Sequence, residues 1–284
     1  MIEAQFPDLA PAELASLGDG WDNSAYRVNQ RWVFRFPRRQ LGAQLIATEA
    51  QVLPRLAPKL PLRIPTPRFF GRAQGAYPYD FLGYGLVEGR TACAVRLSAH
   101  DRLGAAHELG AFLRALHRVD LGPSVQGPLD ELERTNLAKR LTMILDYLSR
   151  VEALEPAIDV GGLEEQAREL ARTEPWAEAP VWVHGDLYGR HLVVDEERRV
   201  CGVIDWGDVH RGDPALDLAL GYSFFPPEAR EAFFEAYGEV APQTRRRARF
   251  RAMLSGVILV AFGHDRQDRD AIALGLDALT WVRA

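Results

Sequence analysis

The sequence predicts a bilobal α+β protein, with a small strand-rich lobe in residues 1–88 and a larger, mostly helical lobe in residues 89–284. Two segments near the start, SAYRVN (24–29) and RWVFRFP (31–37), alternate polar and apolar residues as the strands of a hairpin do. After Gly89 the apolar residues instead recur at helical spacing over long stretches. This change of period is the main evidence for two lobes.

The first lobe is predicted to consist of a loop, the hairpin, one helix and two further extended segments. The loop is rich in Gly and Asp, which favour turns, and the helix carries Ala and Leu on one side. A proline-rich passage, which cannot continue a helix, leads into the last strand. In chain order the elements are the loop at 17–23, the hairpin at 24–37, the helix at 47–57, the extended passage at 58–71 and the strand at 78–89.

The second lobe is predicted to be helical apart from short strand-like runs in its middle. The stretches 103–120, 137–154 and 162–175 have the apolar spacing of helices, and the pattern is helical again from residue 213. Between them lie three short apolar runs, PVWVHGD, HLVVD and VCGVIDWGD, each of which ends in acidic residues. These runs are predicted strands with polar loops at their ends.

The composition is that of a globular protein, since 47% of the 284 residues are hydrophobic and 26% are charged. The N-terminus MIEAQFPDLAPAE carries acids and prolines rather than the basic and apolar residues of a signal peptide. The longest apolar stretch, at 253–263, is shorter than the roughly 20 residues that span a membrane. Cys93 and Cys201 are too few for a disulfide framework or a cysteine metal site. We therefore expect a cytoplasmic protein without a membrane partner.

The charge is unevenly distributed between the lobes. Residues 1–88 hold ten basic and eight acidic side chains, and the remainder holds 24 basic and 31 acidic ones. An acidic larger lobe argues against nucleic acid as a partner. The pattern suits a polyanion bound by the first lobe and a cationic or polar small molecule bound by the second, although solvated surfaces alone would also explain it. The basic cluster RRRARFR (245–251) is interpreted as a solvated helix face.

Two aspartates follow neighbouring strand-like runs of the second lobe. Asp186 lies in the loop of VHGDLYGRHLVVD, and Asp205 follows it by nineteen residues in VIDWGD. Two carboxylates at neighbouring strand ends suit metal-assisted phosphoryl transfer, in which one orients the attacking hydroxyl and the other binds Mg²⁺ on the nucleotide phosphates. The alternative is two surface aspartates without a joint role. Spacing alone does not decide between them.

The motifs HGDLYGRH and IDWGDVHRGDPALDLA resemble the catalytic and metal-binding segments of the aminoglycoside phosphotransferase family. The resemblance extends to GWDNSAYRV, WVFRFPRR and the helix LGAFLRALHRVD, so it covers both lobes. It implies a protein-kinase-like fold and a kinase of small molecules. A protein kinase is disfavoured because Gly212 follows only seven positions after Asp205, which leaves no activation segment.

This resemblance implies roles for the residues of the two motifs. Asp186 would be the catalytic base, His184 a residue that buttresses the loop, and Asp205 the principal Mg²⁺ ligand. His191 stands where the family usually has Asn, a second metal ligand, and HGD-x₄-H resembles the macrolide phosphotransferase branch. Imidazole binds Mg²⁺ less well than oxygen does, so His191 could ligate the ion weakly, bind its water or contact a phosphate. Asp213 and Asp217, around Pro214, are expected to be structural.

The resemblance also implies a nucleotide site in the first lobe. Arg35 aligns with the usual phosphate-binding lysine, and Glu49 on the next helix would be its ion-pair partner. Gly20 permits close approach of the backbone to the phosphates, and Ser24 offers a hydroxyl to them. Val87, in the segment between the lobes, is expected beside the nucleotide base. The sequence of this site is compatible with either ATP or GTP as the nucleotide.

The leading hypothesis is a kinase that transfers the terminal phosphate of ATP or GTP, with Mg²⁺, to a hydroxyl of a macrolide-like or aminoglycoside-like antibiotic. A metabolic amino alcohol or a sugar is an alternative acceptor. A nucleotide-binding pseudoenzyme is another alternative, suggested by Arg35 and His191, although both working aspartates speak against it. The acceptor is expected near the helices after residue 103 and near the acids of 261–270.

Overall fold

A computed structural model describes residues 1–284. Its first part is an antiparallel five-stranded sheet in the order β1-β2-β3-β5-β4, followed by two small sheets, β10-β7 and β6-β8-β9. The strands are β1 (Leu14–Asp19), β2 (Asn23–Val28), β3 (Trp32–Pro37), β4 (Pro67–Gly71), β5 (Phe81–Gly85), β6 (Arg90–Thr91), β7 (Val181–Val183), β8 (Leu192–Val194), β9 (Val200–Val203) and β10 (His210–Gly212).

Helices make up most of the chain after β6. They are α1 (Ile2–Gln5), α2 (Gln40–Leu56), α3 (Ala92–Val95), α4 (Ala99–Arg118), α5 (Leu137–Leu154), α6 (Val160–Leu170), α7 (Ala215–Leu218), α8 (Leu220–Ser223), α9 (Pro227–Tyr237), α10 (Pro242–Arg266) and α11 (Arg269–Trp281). None of them combines the length and apolar composition needed to cross a membrane. The sheet followed by helices confirms the predicted α+β, bilobal fold class.

Alternation along β3 decides what each face of the large sheet contacts. Phe34 and Phe36 point to the outer face, where they form an aromatic cluster with Phe6, Phe69 and Phe81. Arg35 points to the other face, toward α2 and the second part of the chain. Strand β3 therefore contributes aromatic side chains to the core on the outer face of the sheet and one cation, Arg35, to the cleft on the inner face.

The core of the second part lies between packed helices. The closest pairs are α10 with α11 and α4 with α9. Gly110 of α4 permits the second of these contacts, because a Cβ atom there would lie 2.3 Å from the carbonyl oxygen of Phe233. Helix α4 begins with a capping box, in which the Ser98 hydroxyl accepts from Asp101 N–H while the Asp101 carboxylate accepts from Ser98 N–H.

The helix predicted at 137–154 is α5 with the same bounds, and the hairpin is also confirmed. Other predicted elements differ from the structure in their bounds: the helix predicted at 47–57 begins at Gln40, and the strand predicted at 78–89 spans Phe81–Gly85. The loop predicted at 17–23 is wrong at both ends, because residues 17–19 belong to β1 and Asn23 begins β2. Gly18 and Asp19 pair with β2, and these ladder hydrogen bonds outweigh their turn-like composition. The helix predicted to reach residue 175 ends at Leu170, before the proline.

Candidate active site

A cleft of about 790 Å³ opens between the large sheet and the second part of the chain. Its walls come from the first hairpin, the loop 185–191, the segment 204–208 and one side of α10. Asp186, His191 and Asp205 all line it, as does Arg35 from β3. The structure therefore brings together the acidic motifs and the predicted phosphate-binding arginine.

Gly185 gives the loop before Asp186 its shape. Its φ of +87° is a conformation that favours glycine, and a Cβ atom there would lie 2.5 Å from the carbonyl oxygen of Asp208. The turn directs the next side chain into the cleft, where the Asp186 carboxylate is 46% exposed. No protein hydrogen bond occupies this carboxylate, so it is free to accept one from a bound molecule.

His184 lies beneath the loop and is completely buried. Its Nε2–H donates to the carbonyl of Ile204 (3.0 Å), and its Nδ1 accepts from the backbone N–H of Asp186 (3.3 Å). Burial lowers the pKa of His184, so the neutral ring that this pattern requires is favoured. The ring thus connects the two acidic segments, which confirms the expected buttressing role.

Asp217 anchors the same loop from the helical side. Its carboxylate accepts from the backbone N–H groups of His184 (2.7 Å) and Gly185 (2.9 Å), and lies 3.1 Å from His117 Nε2. Burial would raise the pKa of Asp217, but the hydrogen bond and charge of His117 and the loop N–H groups lower it overall. Asp217 is therefore a buried carboxylate that stays ionised, as a structural role requires.

Asp213 is the second buried acid of the GDP motif. Its Oδ1 accepts from Ala215 N–H at the start of α7, and its Oδ2 accepts from Arg247 Nε at 2.7 Å. This pairing corrects the interpretation of 245–251 as a solvated face. Arg247 of that cluster is buried, and its neighbour Arg246 donates to Thr173 and Glu169.

Asp205 has φ of +63°, a left-handed conformation that is uncommon outside glycine. Its carboxylate is 52% exposed, and it lies 3.3 Å from Arg35 Nη2 and 3.4 Å from His191 Nε2. Its enclosed position would raise its pKa, but Arg35 and His191 lower the pKa overall. A strained, ionised carboxylate that faces open space is the arrangement expected of a cation ligand.

Arg35 connects Asp205 to helix α2. Its Nη1 donates to both carboxylate oxygens of Glu49 at 2.9 Å, while Nη2 faces Asp205. Burial opposes the charge of Arg35, yet Glu49 and Asp205 raise its pKa above the ordinary value. Burial raises the pKa of Glu49 to about 7, against the opposing effect of Arg35. The predicted ion pair is therefore present, with Arg35 at its cleft end.

His191 lies between the two aspartates. Its Nδ1–H donates to the backbone carbonyl of Asp186 at 2.7 Å, and its Nε2 lies 3.4 Å from Asp205 Oδ2. No group of three His, Cys, Asp or Glu side chains converges tightly enough to hold a metal alone. Mg²⁺ usually binds one or two carboxylates together with substrate phosphates and waters. Asp205 and His191 fit that kind of site.

The remaining predicted residues of the nucleotide site divide into two groups. Gly20 and Val87 line the cleft. Ser24 does not, because alternation along β2 turns it to the outer face, where it lines a separate groove with Tyr26 and Phe36. The predicted contact of Ser24 with the phosphates was therefore wrong in geometry. Its neighbours Asn23 and Ala25 face the cleft instead.

One wall of the cleft was not anticipated from the sequence. Arg251, Ser255, Ile258, Leu259 and Phe262 form it, all on α10. Their spacing places them on one helix face, which is the signal that could have revealed the wall. The mostly apolar run at 253–263 obscured that signal.

The profile of the phosphotransferase enzyme family matches residues 13–251. Viomycin phosphotransferase from Streptomyces vinaceus is 32% identical over 205 residues, or 69% of each chain. The GDP and kanamycin complex of APH(2")-IIia is 27% identical with a TM-score of 0.69, and the match covers 100% of this chain and 97% of that chain. A macrolide 2'-phosphotransferase from Brachybacterium faecium shares the fold at 22% identity and a TM-score of 0.62, over 98% and 97% of the two chains. The chain therefore belongs to the phosphotransferase enzyme family, as its two acidic motifs and their shared cleft indicate.

Proposed function

We propose that this protein transfers the terminal phosphoryl group of ATP or GTP to a hydroxyl group of an antibiotic-like acceptor. The observation that carries the proposal is the opening of the Asp186 and Asp205 carboxylates onto one cleft, with Arg35 across from them. Residues 1–88 would bind the nucleotide, and residues 89–284 would supply the acidic motifs and bind the acceptor. Viomycin, kanamycin and macrolides occur in the names of the relatives and support an antibiotic acceptor.

Asp186 is proposed as the base. The acceptor oxygen forms a bond to the terminal phosphorus, the bond from that phosphorus to the leaving nucleotide oxygen breaks, and the hydroxyl proton passes to the Asp186 carboxylate. The exposed carboxylate is free of protein hydrogen bonds, so it can approach the hydroxyl. The hydrogen bond of His191 to the Asp186 carbonyl fixes the loop in this orientation.

Asp205 and His191 are proposed to hold Mg²⁺. The bound ion would neutralise charge on the nucleotide phosphates. On the protein side, Arg35 would bind a phosphate oxygen with the guanidinium that Glu49 orients. Gly20 and Val87 would lie along the phosphates and the base, respectively. Neighbouring structures with GDP support a nucleotide in this position.

The proposed function is tested by incubating the protein with Mg²⁺, ATP or GTP, and single acceptors. The set includes viomycin, kanamycin, a macrolide, an amino alcohol and a sugar. We expect acceptor-dependent release of ADP or GDP, with a product heavier by one phosphate in mass spectrometry. Turnover of only the amino alcohol or the sugar would favour a metabolic kinase. Nucleotide binding without any turnover would contradict the proposal and favour a pseudoenzyme.

Replacing Arg35 by Met is expected to raise KM for the nucleotide about 10- to 100-fold, because a charge-assisted hydrogen bond to phosphate is lost. Initial rates at varied nucleotide concentration measure this. Arg72→Met removes an exposed arginine paired only with Asp80 and serves as the matched control. A melting curve shows whether the variant remains folded, since Glu49 is left buried without its ion-pair partner. Unchanged nucleotide KM in a folded variant would contradict the assignment.

Replacing His191 by Asn is expected to lower the Mg²⁺ concentration for half-maximal activity several-fold, because a carboxamide oxygen suits this ion better than nitrogen. His191→Ala is expected to raise it about tenfold, the usual scale for loss of a contributing ligand. Mg²⁺ titrations at saturating nucleotide make the comparison. Identical titration curves for the three proteins would exclude His191 from the cation site.

A further inference from the structure

The unanticipated wall on α10 carries information about the acceptor. Its five residues are partly exposed and line the cleft. The residues between them on the helix are buried. Isoleucine, leucine and phenylalanine side chains make up most of this wall. A serine and one arginine are its polar groups. An acceptor in contact with α10 therefore meets a mainly apolar surface.

Arg251 is the unusual member of this wall. Its guanidinium makes no hydrogen bond and no ion pair with any protein group, although the other cleft arginines are paired. Arg35 is bound to Glu49 and Arg190 to Asp268. Burial lowers the pKa of Arg251, and the nearby Asp186 opposes this effect. An arginine remains charged under these conditions, so the wall presents to the acceptor one cation that has no hydrogen-bond or ion-pair partner in the protein.

The acids around the same side of the cleft are neutralised by arginines. Asp208 is bound by Arg134, as is Asp130. The acids of 261–270, near which the sequence placed the acceptor, also pair with arginines. Asp265 pairs with Arg150 at 3.0 Å, Asp268 with Arg190 at 2.7 Å, and Asp270 faces Arg96 at 4.0 Å. Asp186 pairs with no arginine, and the proposed reaction uses its carboxylate.

From this arrangement we infer that the acceptor is an alcohol of neutral or negative charge with an apolar body, and that one of its oxygen atoms binds Arg251. The inference rests on the proposed function, because it narrows the acceptor of that site to alcohols without ammonium groups and so sets aside polyamines such as kanamycin. A polyamine would need several free carboxylates, and its ammonium groups would be repelled by an unpaired guanidinium. A carboxylate or carbonyl oxygen would instead supply the partner that Arg251 lacks.

Three alkyl sugars that differ only in the group at C6, and thereby in charge, provide the test. Octyl glucoside is uncharged, octyl glucuronide carries a carboxylate, and octyl 6-amino-6-deoxyglucoside carries an amine. Kanamycin serves as a polyamine. Binding is measured by calorimetry without nucleotide, and turnover by nucleoside diphosphate release. We expect the glucuronide to bind the wild type at least about tenfold more tightly than the amine, since one charge-assisted contact has this magnitude.

Variants of Arg251 then separate its roles. Arg251→Gln is expected to raise KM and Kd for the glucuronide about tenfold, with a much smaller change for the glucoside and for kcat. Arg251→Glu is expected to reverse the preference toward the amine. Arg245→Gln, on the same helix but paired with the exposed Glu231, is the control.

The outcomes distinguish the two proposals. Tightest binding of kanamycin or of the amine by the wild type, unaffected by Arg251→Glu, would overturn the acceptor class while leaving phosphoryl transfer intact. An equal loss of kcat for every acceptor, at unchanged KM, would show that Arg251 serves the phosphate and would also overturn it. Charge-selective binding through Arg251 without any turnover would support the acceptor class and contradict the proposed function.

Discussion

Replacing Asp186 by Asn is expected to lower kcat about 10²- to 10⁴-fold, the range for loss of a positioned general base. The amide keeps the shape of the side chain but cannot take the hydroxyl proton. Because the carboxylate is about half exposed and has no protein hydrogen bond, its loss leaves the folded state intact. Nucleotide Kd should also be unchanged, since Arg35 and Asp205 remain. Rapid-quench rates and nucleotide titrations measure the two quantities separately.

The control for this variant is Asp80→Asn, which neutralises an exposed carboxylate beside Arg72, far from the acidic motifs in the chain. It should retain wild-type kcat. A kcat of Asp186→Asn within about threefold of the wild-type value would exclude Asp186 as the base, because a base contributes at least about a hundredfold. A drop in nucleotide affinity as large as the drop in kcat would indicate a binding role instead.

Replacing Asp217 by Ala is expected to lower the free energy of unfolding by about 3–5 kcal/mol, the cost of removing one member of a buried charged cluster. The loss leaves two backbone N–H groups of the 184–185 segment and His117 without their acceptor. Each buried donor left unpaired is destabilising. Urea unfolding monitored by circular dichroism gives the difference, and the melting temperature should fall with it.

The Asp217 carboxylate also makes the free energy of unfolding depend on pH, and the direction of this dependence can be predicted. The pKa of Asp217 is lower in the folded protein than its ordinary value. Its contribution is therefore complete above that ordinary value and is lost as the pH falls through the lowered pKa. The stability difference between the wild type and Asp217→Ala should thus be larger at about pH 7 than at strongly acid pH. A constant difference would contradict an ionised Asp217.

Exposed Asp159, paired with Arg283 at the surface, provides the reference for this series. Apart from the loss of its capping bond to Gly162, Asp159→Ala should destabilise the protein far less than Asp217→Ala does, since surface ion pairs contribute little. If Asp217→Ala were no more harmful than Asp159→Ala, the loop would not depend on the buried acid.

The sequence made the polar lining of the cleft predictable because most of it lies in short, contiguous motifs. Asp186, His191 and Asp205 lie in two such motifs, and Arg35 with Glu49 follows from the resemblance of the flanking segments. The helix at 137–154 was equally accessible, since a solvent-facing side and an Asn136 cap mark its bounds. Local patterns therefore suffice where the determinants lie close together in the chain.

The errors share a different cause. Whether Ser24 faces the cleft depends on the register of β2 within the sheet, and a shift of one residue reverses it. The arginines of 245–251 appear solvent-exposed in the sequence, but Asp213, more than thirty positions away, buries one of them. Arg251 draws its interest from having no partner. The lack of a partner for an arginine can be recognised only when the positions of all surrounding side chains are known.

The sharing of one guanidinium between Glu49 and Asp205 has a consequence for how this gene can change. Mutation of codon 35 leaves the buried Glu49 carboxylate without its ion-pair partner, and mutation of codon 49 leaves the Arg35 guanidinium beside the cleft without Glu49. Each step alone lowers stability, because an isolated charge in the interior is costlier than a matched pair. The two codons are therefore expected to vary in concert across descendants, as a single inherited character.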